Sequence, residues 1–277
     1  FKYRPELLLL TALEHDHLDF YATPESYLQS FRNLVNQVPG SGRIIVNHDY
    51  EMARRAVERA FTPVIFYGGA GCAGEISGLA ARDGGYDFRL RVGGEARRFH
   101  SPLPGPYNAW NLAAGILLAH ELRLPPAVVE KAVAGFRGVE RRLTHLGDAG
   151  ATAFYSDFAH HPTAIAGVLA GLADLYPGRR IVAVFEPRSW SLRRNFFQER
   201  LAPALARADE VLIKDVFEKE RIPEGERLAV ERLAADLERL GRRARVFPGF
   251  EEIQDYLAAL DPAEPRVVVL LSNGDVR

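Results

Sequence analysis

The second half of the chain constrains the fold most. Short apolar runs at Thr152–Tyr155, Ile181–Phe185, Glu210–Ile213, Ala244–Phe247 and Val267–Leu271 alternate with helical patterns over Pro162–Leu175, around Phe196–Ala206, Leu228–Leu240 and Glu251–Leu260. Apolar residues recurring every three or four positions mark helices, whereas continuous apolar runs of about four to eight bounded by turn residues mark strands. Strands buried on both faces and separated by helices are satisfied by a parallel sheet with helices on either side. This half is therefore expected to be a doubly wound, Rossmann-like α/β domain.

The first half begins in the same way. Glu6 to Leu13 reads as a buried strand, and Thr23-Pro24 as the start of a helix carrying Tyr27, Phe31, Leu34 or Val35, and Val38 until Pro39-Gly40. Arg43–Asn47, Asp49–Ala60 and Val64–Tyr67 follow as strand, helix and strand. From Ala73 to His100 the pattern changes to short alternating runs punctuated by Gly84-Gly85 and Gly93-Gly94, which signals hairpins. Helical spacing returns over Asn108–Leu122 and Pro126–Phe136. A boundary is placed after Gly138, giving domains 1–139 and 140–277, as the total of 277 residues suits two cores.

Composition removes several function classes. Lysine plus arginine number 35 against 36 aspartates plus glutamates, so no overall field favours nucleic acid or an anionic membrane surface. The single cysteine, Cys72, excludes an internal disulfide framework and suits a reducing cytoplasm. No apolar run approaches the ~18 residues of a membrane span. A soluble cytoplasmic protein with no obligate protein partner is expected. Phe1 leads almost directly into Leu7-Leu8-Leu9-Leu10, as though the first domain started further upstream.

In open α/β sheets ligands gather beyond the carboxyl ends of the strands. Four polar clusters occupy such ends: EHDHLD at 14–19, YSDFAHHP at 155–162, EPRSWS at 186–191 and SNGD at 272–275. Pro162 suits a first helical position, so His160 and His161 stand at a helix N-terminus, where amide donors and the helix dipole favour an anion. Asp157 is placed to accept from ligand hydroxyls, or else to fasten the loop and cap the helix. His15, Asp16, His17 and Asp19 form a dense set of possible metal ligands, or a solvated loop. Zinc held by paired histidines is the sharper rival, although HxH and HH lack single-helix metalloprotease spacing. Asn108 and Asn111, three apart, share a helix face and suit the edge of a base; capping by Asn108 is the plainer role. Arg141 and Arg142 suit a phosphate or a stacked base, or are simply solvated. GGAGCAGE at 68–75 has no lysine and hydroxyl after it and reads as a turn.

Together these segments resemble the Mur ligase family of ATP-dependent amide-bond-forming enzymes. LEHDHLD resembles the DHxD segment of the family's central domain, GPYNAWNLAA its HNxxNxxAA segment, RRLTHLG its arginine segment and YSDFAHHPTAI the start of its C-terminal domain. The likeness implies a partial central ATP-binding domain, then a Rossmann-like domain for the amine substrate. DFAHHPTAI, FEPRS, LAPALARADEV and LLSNG resemble most the branch joining UDP-N-acetylmuramate to the tripeptide L-alanyl-γ-D-glutamyl-meso-diaminopimelate in peptidoglycan recycling. The L-alanine-adding branch and folate-type polyglutamate ligases are the alternatives within the family; a non-catalytic nucleotide- or zinc-binding protein is the alternative outside it.

The resemblance implies ATP and Mg2+ as cofactors. His17 would help hold magnesium and act in catalysis, with His160 near the phosphates. Asn108, Asn111, Arg142 and Asp157 would contact the nucleotide; Arg188, Ser189 and His161 would meet the substrate. Tyr107 departs from the family's histidine, and the helix with Tyr27, Gln29, Ser30 and Phe31 offers no lysine for carbamylation, in line with the two muramate-directed branches. The family's GTxGKT loop, which cradles the β- and γ-phosphates, is not in the sequence. These 277 residues by themselves are expected to be inactive.

Overall fold

The structure, a computed structural model, describes residues 3–274. The chain divides into two compact units between Arg137 and Gly138, two residues from the boundary read in the sequence.

In the first unit β1 (Leu7–Leu10), β2 (Arg43–Asn47) and β3 (Val64–Gly68) pair in parallel. β4 (Gly74–Arg82), β5 (Gly85–Val92) and β6 (Glu95–Ser101) form an antiparallel meander, completing one sheet in the order β1-β2-β3-β4-β5-β6. The seam between β3 and β4 is short, with only Tyr67 opposite Gly74 and Gly68 opposite Glu75. α1 (Pro24–Val35) starts where Thr23 was expected to cap it: Thr23 Oγ1 accepts from Ser26 N–H while Ser26 Oγ accepts from Thr23 N–H. α2 (Glu51–Val57) is shorter than the expected Asp49–Ala60, because Asp49 is held in a turn by its N–H bond to Asn47 Oδ1. β1 likewise stops at Leu10 instead of Leu13, where its pairing with β2 ends. α3 (Pro106–Glu121) and α4 (Pro126–Gly135) follow the meander, with proline at the first position of each. Ala109, Ala113, Ala114, Ile116 and Leu117 of α3 enter the core with Phe88 and Leu90.

The second unit has one sheet in the order β11-β10-β9-β12-β8-β7, formed by β7 (Thr144–Ala149), β8 (Thr152–Asp157), β9 (Arg180–Phe185), β10 (Glu210–Lys214), β11 (Arg243–Phe247) and β12 (Arg266–Leu271). All its pairings are parallel except that of β7 with β8, so a doubly wound sheet carries an antiparallel edge. The crossovers are α5 (Pro162–Leu175), α6 (Gln198–Leu205), α7 (Val230–Arg239) and α8 (Phe250–Ala258). α5 has the bounds read in the sequence; its Ile165, Val168, Leu169 and Leu172 are buried, each contributing roughly 1.5–3 kcal/mol. The helical pattern around Phe196–Ala206 is instead a 3-10 turn, Asn195–Phe197, running into α6. Because β12 enters between β8 and β9, polar residues at the carboxyl ends of β8, β9, β10 and β12 converge on one edge of the unit.

Candidate functional site

In the first unit the sharpest polar cluster follows β2 and β3. Asp49 Oδ2 accepts from the Trp110 indole N–H at 2.9 Å, and Oδ1 accepts from Gly69 N–H at 3.3 Å. Gly68 must be glycine for this fit: its φ is +136°, and a Cβ would lie 2.9 Å from Asp49 Oδ1. Trp110 stands between Asn108 and Asn111, so Asp49 fixes the first turns of α3 against two strand ends. The sequence reading did not single out either residue; an acid two places beyond a strand and the one polar-handled aromatic between the asparagines were the signals.

Asn108 and Asn111 both line an apolar cavity of about 410 Å³ between α3 and α4, walled by Leu112, Ile116, Val129 and Val133. That volume is in the range of small-molecule sites. Asn108 Nδ2 donates to the Pro104 carbonyl at 2.6 Å, which ties it to the turn before α3. Asn111 is exposed, and its amide makes no hydrogen bond among the described residues.

The loop after β1 is ordered by its own contacts. His15 Nε2 lies 2.9 Å from the Tyr21 carbonyl, Asp16 Oδ1 accepts from His17 N–H, and His17 is exposed with a left-handed φ of 53°. Among the described residues no three of histidine, cysteine, aspartate and glutamate stand close enough to hold a metal ion.

In the second unit Asp157 fastens the segment before β7. It is only 3% exposed; Oδ2 accepts from Leu143 N–H and Oδ1 from Ala159 N–H, both at 2.7 Å. Burial pushes its carboxyl above the ordinary range, against the two backbone donors and the nearby Arg142 and His160 charges. The fastening role, weighed beside a ribose contact, is the one its side chain performs here. Arg141 and Leu143 are left-handed, at φ 61° and 47°. The bond to Asp157 and one from Arg141 N–H to Thr144 Oγ1 hold them there. Arg141 and Arg142 both lay guanidinium groups over the Phe158 ring, at 5.0 and 5.4 Å, and the His160 ring meets its edge at 5.2 Å. Arg142, Asp157 and His160 are therefore brought together. His161 is used differently from the expected ligand donor: Nδ1 accepts from Thr163 N–H as the cap of α5, with the ring packed on Phe197.

A second cluster lies beyond β9, β10 and β12. Glu186 is 1% exposed, accepts from the Ser272 hydroxyl, and has Lys214 Nζ at 3.3 Å and Arg188 Nη1 at 3.7 Å from Oε1. Arg188 lies over the Phe217 ring at 4.2 Å, and a Cβ at Gly274 would come within 2.4 Å of its Cδ. Arg141 donates to the carbonyls of Ser272 and Gly274. Ser189, expected to meet substrate, takes the Leu192 N–H on its hydroxyl and the Arg193 N–H on its carbonyl, shaping the turn behind Arg188. Glu186 and Lys214 were not among the expected site residues, although both sit at the carboxyl ends that the strand rule marks.

Both units match one family. The profile of the Mur ligase middle domain matches residues 2–119, and that of the Mur ligase glutamate ligase domain matches residues 141–274. The chain belongs to the Mur ligase family, whose members are ATP-dependent amide-bond-forming ligases.

Among curated relatives, the UDP-N-acetylmuramate--L-alanine ligase of Desulfitobacterium hafniense is 31% identical over 99% of this chain and 61% of its own length. That of Caldicellulosiruptor bescii is 27% identical over 99% and 60%. The chain thus spans about three fifths of the length of these two relatives. Among solved structures, the UDP-N-acetylmuramate-alanine ligase of Thermotoga maritima superposes with a TM-score of 0.77 at 20% identity, covering 99% of this chain and 57% of that one. A murein peptide ligase of Psychrobacter arcticus gives 0.66 at 23%, covering 98% and 55%. These two likenesses show the fold. The tripeptide branch favoured by the motifs is represented here by a structural neighbour, whereas these curated relatives carry the L-alanine name.

Proposed function

We propose that the chain is the nucleotide- and acceptor-handling part of an ATP-dependent ligase that joins UDP-N-acetylmuramate to L-alanine. The observation that carries this reading is the 31% identity, over 99% of the chain, to an enzyme of that name. The site adds support. Asn111 offers an unused amide at the mouth of a cavity large enough for a base, beside Asn108. Arg142 and His160, gathered on Phe158, present positive charge and donors to an anion near the N-terminus of α5.

In this reading the γ-phosphoryl group of ATP passes to the muramyl carboxylate, giving ADP and an acyl phosphate. The acceptor's neutral amine then attacks the acyl carbon, the C–N bond forms as the C–O bond to phosphate breaks, and the amine sheds a proton. The chain's own contribution is orientation of the base, offset of phosphate charge, and placement of the amine near the acyl carbon. A second reading, with the tripeptide L-alanyl-γ-D-glutamyl-meso-diaminopimelate as acceptor, is favoured by Pro187-Arg188-Ser189, which stand where the L-alanine-adding branch has a histidine-arginine-tyrosine pattern. The deciding experiment supplies ATP and UDP-N-acetylmuramate to the longest natural form of the protein and follows phosphate release and product mass with each acceptor. L-alanine is expected to drive release and appear in the product; release driven by the tripeptide alone moves the assignment, and release with neither refutes it.

A further inference from the structure

The sequence has seven asparagines, and only Asn273 is followed by glycine. An asparagine in that position is chemically the most exposed to loss of its amide, because a glycine carries no side chain to keep its backbone nitrogen away from the asparagine side-chain carbon. In that reaction the Gly274 nitrogen attacks Asn273 Cγ. The new N–C bond closes a succinimide ring, and the Cγ–Nδ2 bond breaks as ammonia leaves with the proton of the Gly274 N–H. Water then opens the ring at either carbonyl, leaving aspartate or isoaspartate at position 273. The glycine is tied to its place by Arg188: a Cβ at 274 would lie 2.4 Å from Arg188 Cδ, so any side chain there displaces the arginine.

The dipeptide is held from several sides. Gly274 N–H, the attacking group, donates to Ser272 Oγ at 3.0 Å, and the buried Ser272 hydroxyl in turn donates to Glu186, whose side chain is 1% exposed. Arg141 Nη2 donates to the carbonyls of Ser272 and Gly274, one on each side of Asn273. Asn273 Oδ1 is itself buried, away from the water that the second step consumes. A nitrogen whose proton is engaged on Ser272, in a backbone pinned at both ends, does not swing onto Cγ until a buried hydrogen bond is given up. We propose that Asn273-Gly274 is a latent deamidation site, kept closed in the folded protein by the hydrogen bonds running from Gly274 through Ser272 to Glu186. Conversion then proceeds from the locally opened end of β12, and its rate reports how often that end opens. It also damages what it escapes from. Isoaspartate adds a backbone methylene between the two carbonyls that Arg141 grips, and either product adds a carboxylate next to the serine that bonds Glu186. The inference goes beyond the ligase reading and does not depend on it.

The test follows aspartate and isoaspartate at position 273 by peptide mass mapping. The full chain is incubated at mildly alkaline pH, folded and in guanidinium chloride, as the native protein and as S272A. Unfolded, both chains should convert at one common rate set by the dipeptide. Folded, the native chain should convert at least about 10-fold more slowly than it does unfolded. Folded S272A takes the acceptor from the Gly274 N–H, and should convert roughly 5- to 30-fold faster than the folded native chain. Equal rates in the folded and unfolded native chain overturn the proposal, as does a folded S272A that converts no faster than the native protein. Should S272A not fold, hydrogen exchange on the native chain decides: a protected Gly274 amide supports the closed site, and a Gly274 amide exchanging as in an unstructured peptide overturns it.

Discussion

Replacing Asp157 by asparagine tests what holds the junction between Arg141 and β7. In the native chain two buried backbone donors, Leu143 N–H and Ala159 N–H, share the two oxygens of one carboxylate. Asparagine has one oxygen and turns an NH2 group toward the other donor, so one N–H loses its acceptor and a new donor faces it. Leaving a buried donor unsatisfied costs about 1–3 kcal/mol. The left-handed Leu143, retained at a cost of about 1–3 kcal/mol because its surroundings over-determine it, is then free to relax. Neutralising a carboxyl that burial already disfavours offsets part of the loss. We expect a net destabilisation of about 1–2 kcal/mol, or roughly 2–8 °C in the melting transition of residues 138–277.

Hydrogen exchange locates the effect: the Leu143 and Ala159 amides should lose protection before the centre of β12. The pH dependence supplies its own sign. A folded-state value raised above the unfolded one means that stability is greatest below the unfolded value and declines as pH rises through the folded one. The native chain should show that decline as pH rises above the ordinary carboxylate range, and D157N should lack it. Native-like melting together with unchanged protection at both amides would refute the reasoning.

Two further outcomes follow from the geometry. W110F removes the indole N–H that reaches Asp49 and part of the ring packed against the core; the lost hydrogen bond alone should cost about 0.5–1.5 kcal/mol, seen as faster amide exchange at Gly69 and in the first turn of α3. G274A should leave the melting temperature within a few degrees yet weaken L-alanine binding several-fold, since the added Cβ moves a flexible arginine and not backbone; equal binding would show that Arg188 does not depend on that space.

Much of the architecture was readable because it rests on local chemistry. Thr23-Pro24 and Pro162 announce helix starts through capping and a fixed φ, and the apolar runs of β9 and β12 declare themselves as strands buried on both faces. Errors arose where a side chain reached across the fold. Asp49 stays outside α2, its N–H held by Asn47 Oδ1 and its carboxylate serving Trp110, 61 residues away, and no periodicity in 49–60 records that demand. The site divides in the same way. Arg142, Asp157 and His160 were singled out from adjacent motifs and meet at Phe158, but Lys214 lies 28 positions beyond Glu186 and gains its meaning only from strand order. His161 adds the capping role that was weighed beside ligand binding, since a histidine at a helix start can offer a lone pair to the helix as readily as a proton to a ligand.

The short seam between β3 and β4 gives α3 a mechanical duty. Two residue pairs are a weak weld for a meander of three strands, and α3 packs on β2 at one side of the seam and on β4 and β5 at the other. The helix is a splint laid over a fracture line. Whatever grips its first turns also clamps the two halves of the sheet, so occupancy at Asn108 and Asn111 would be felt as stiffness as far away as the tip of the last hairpin.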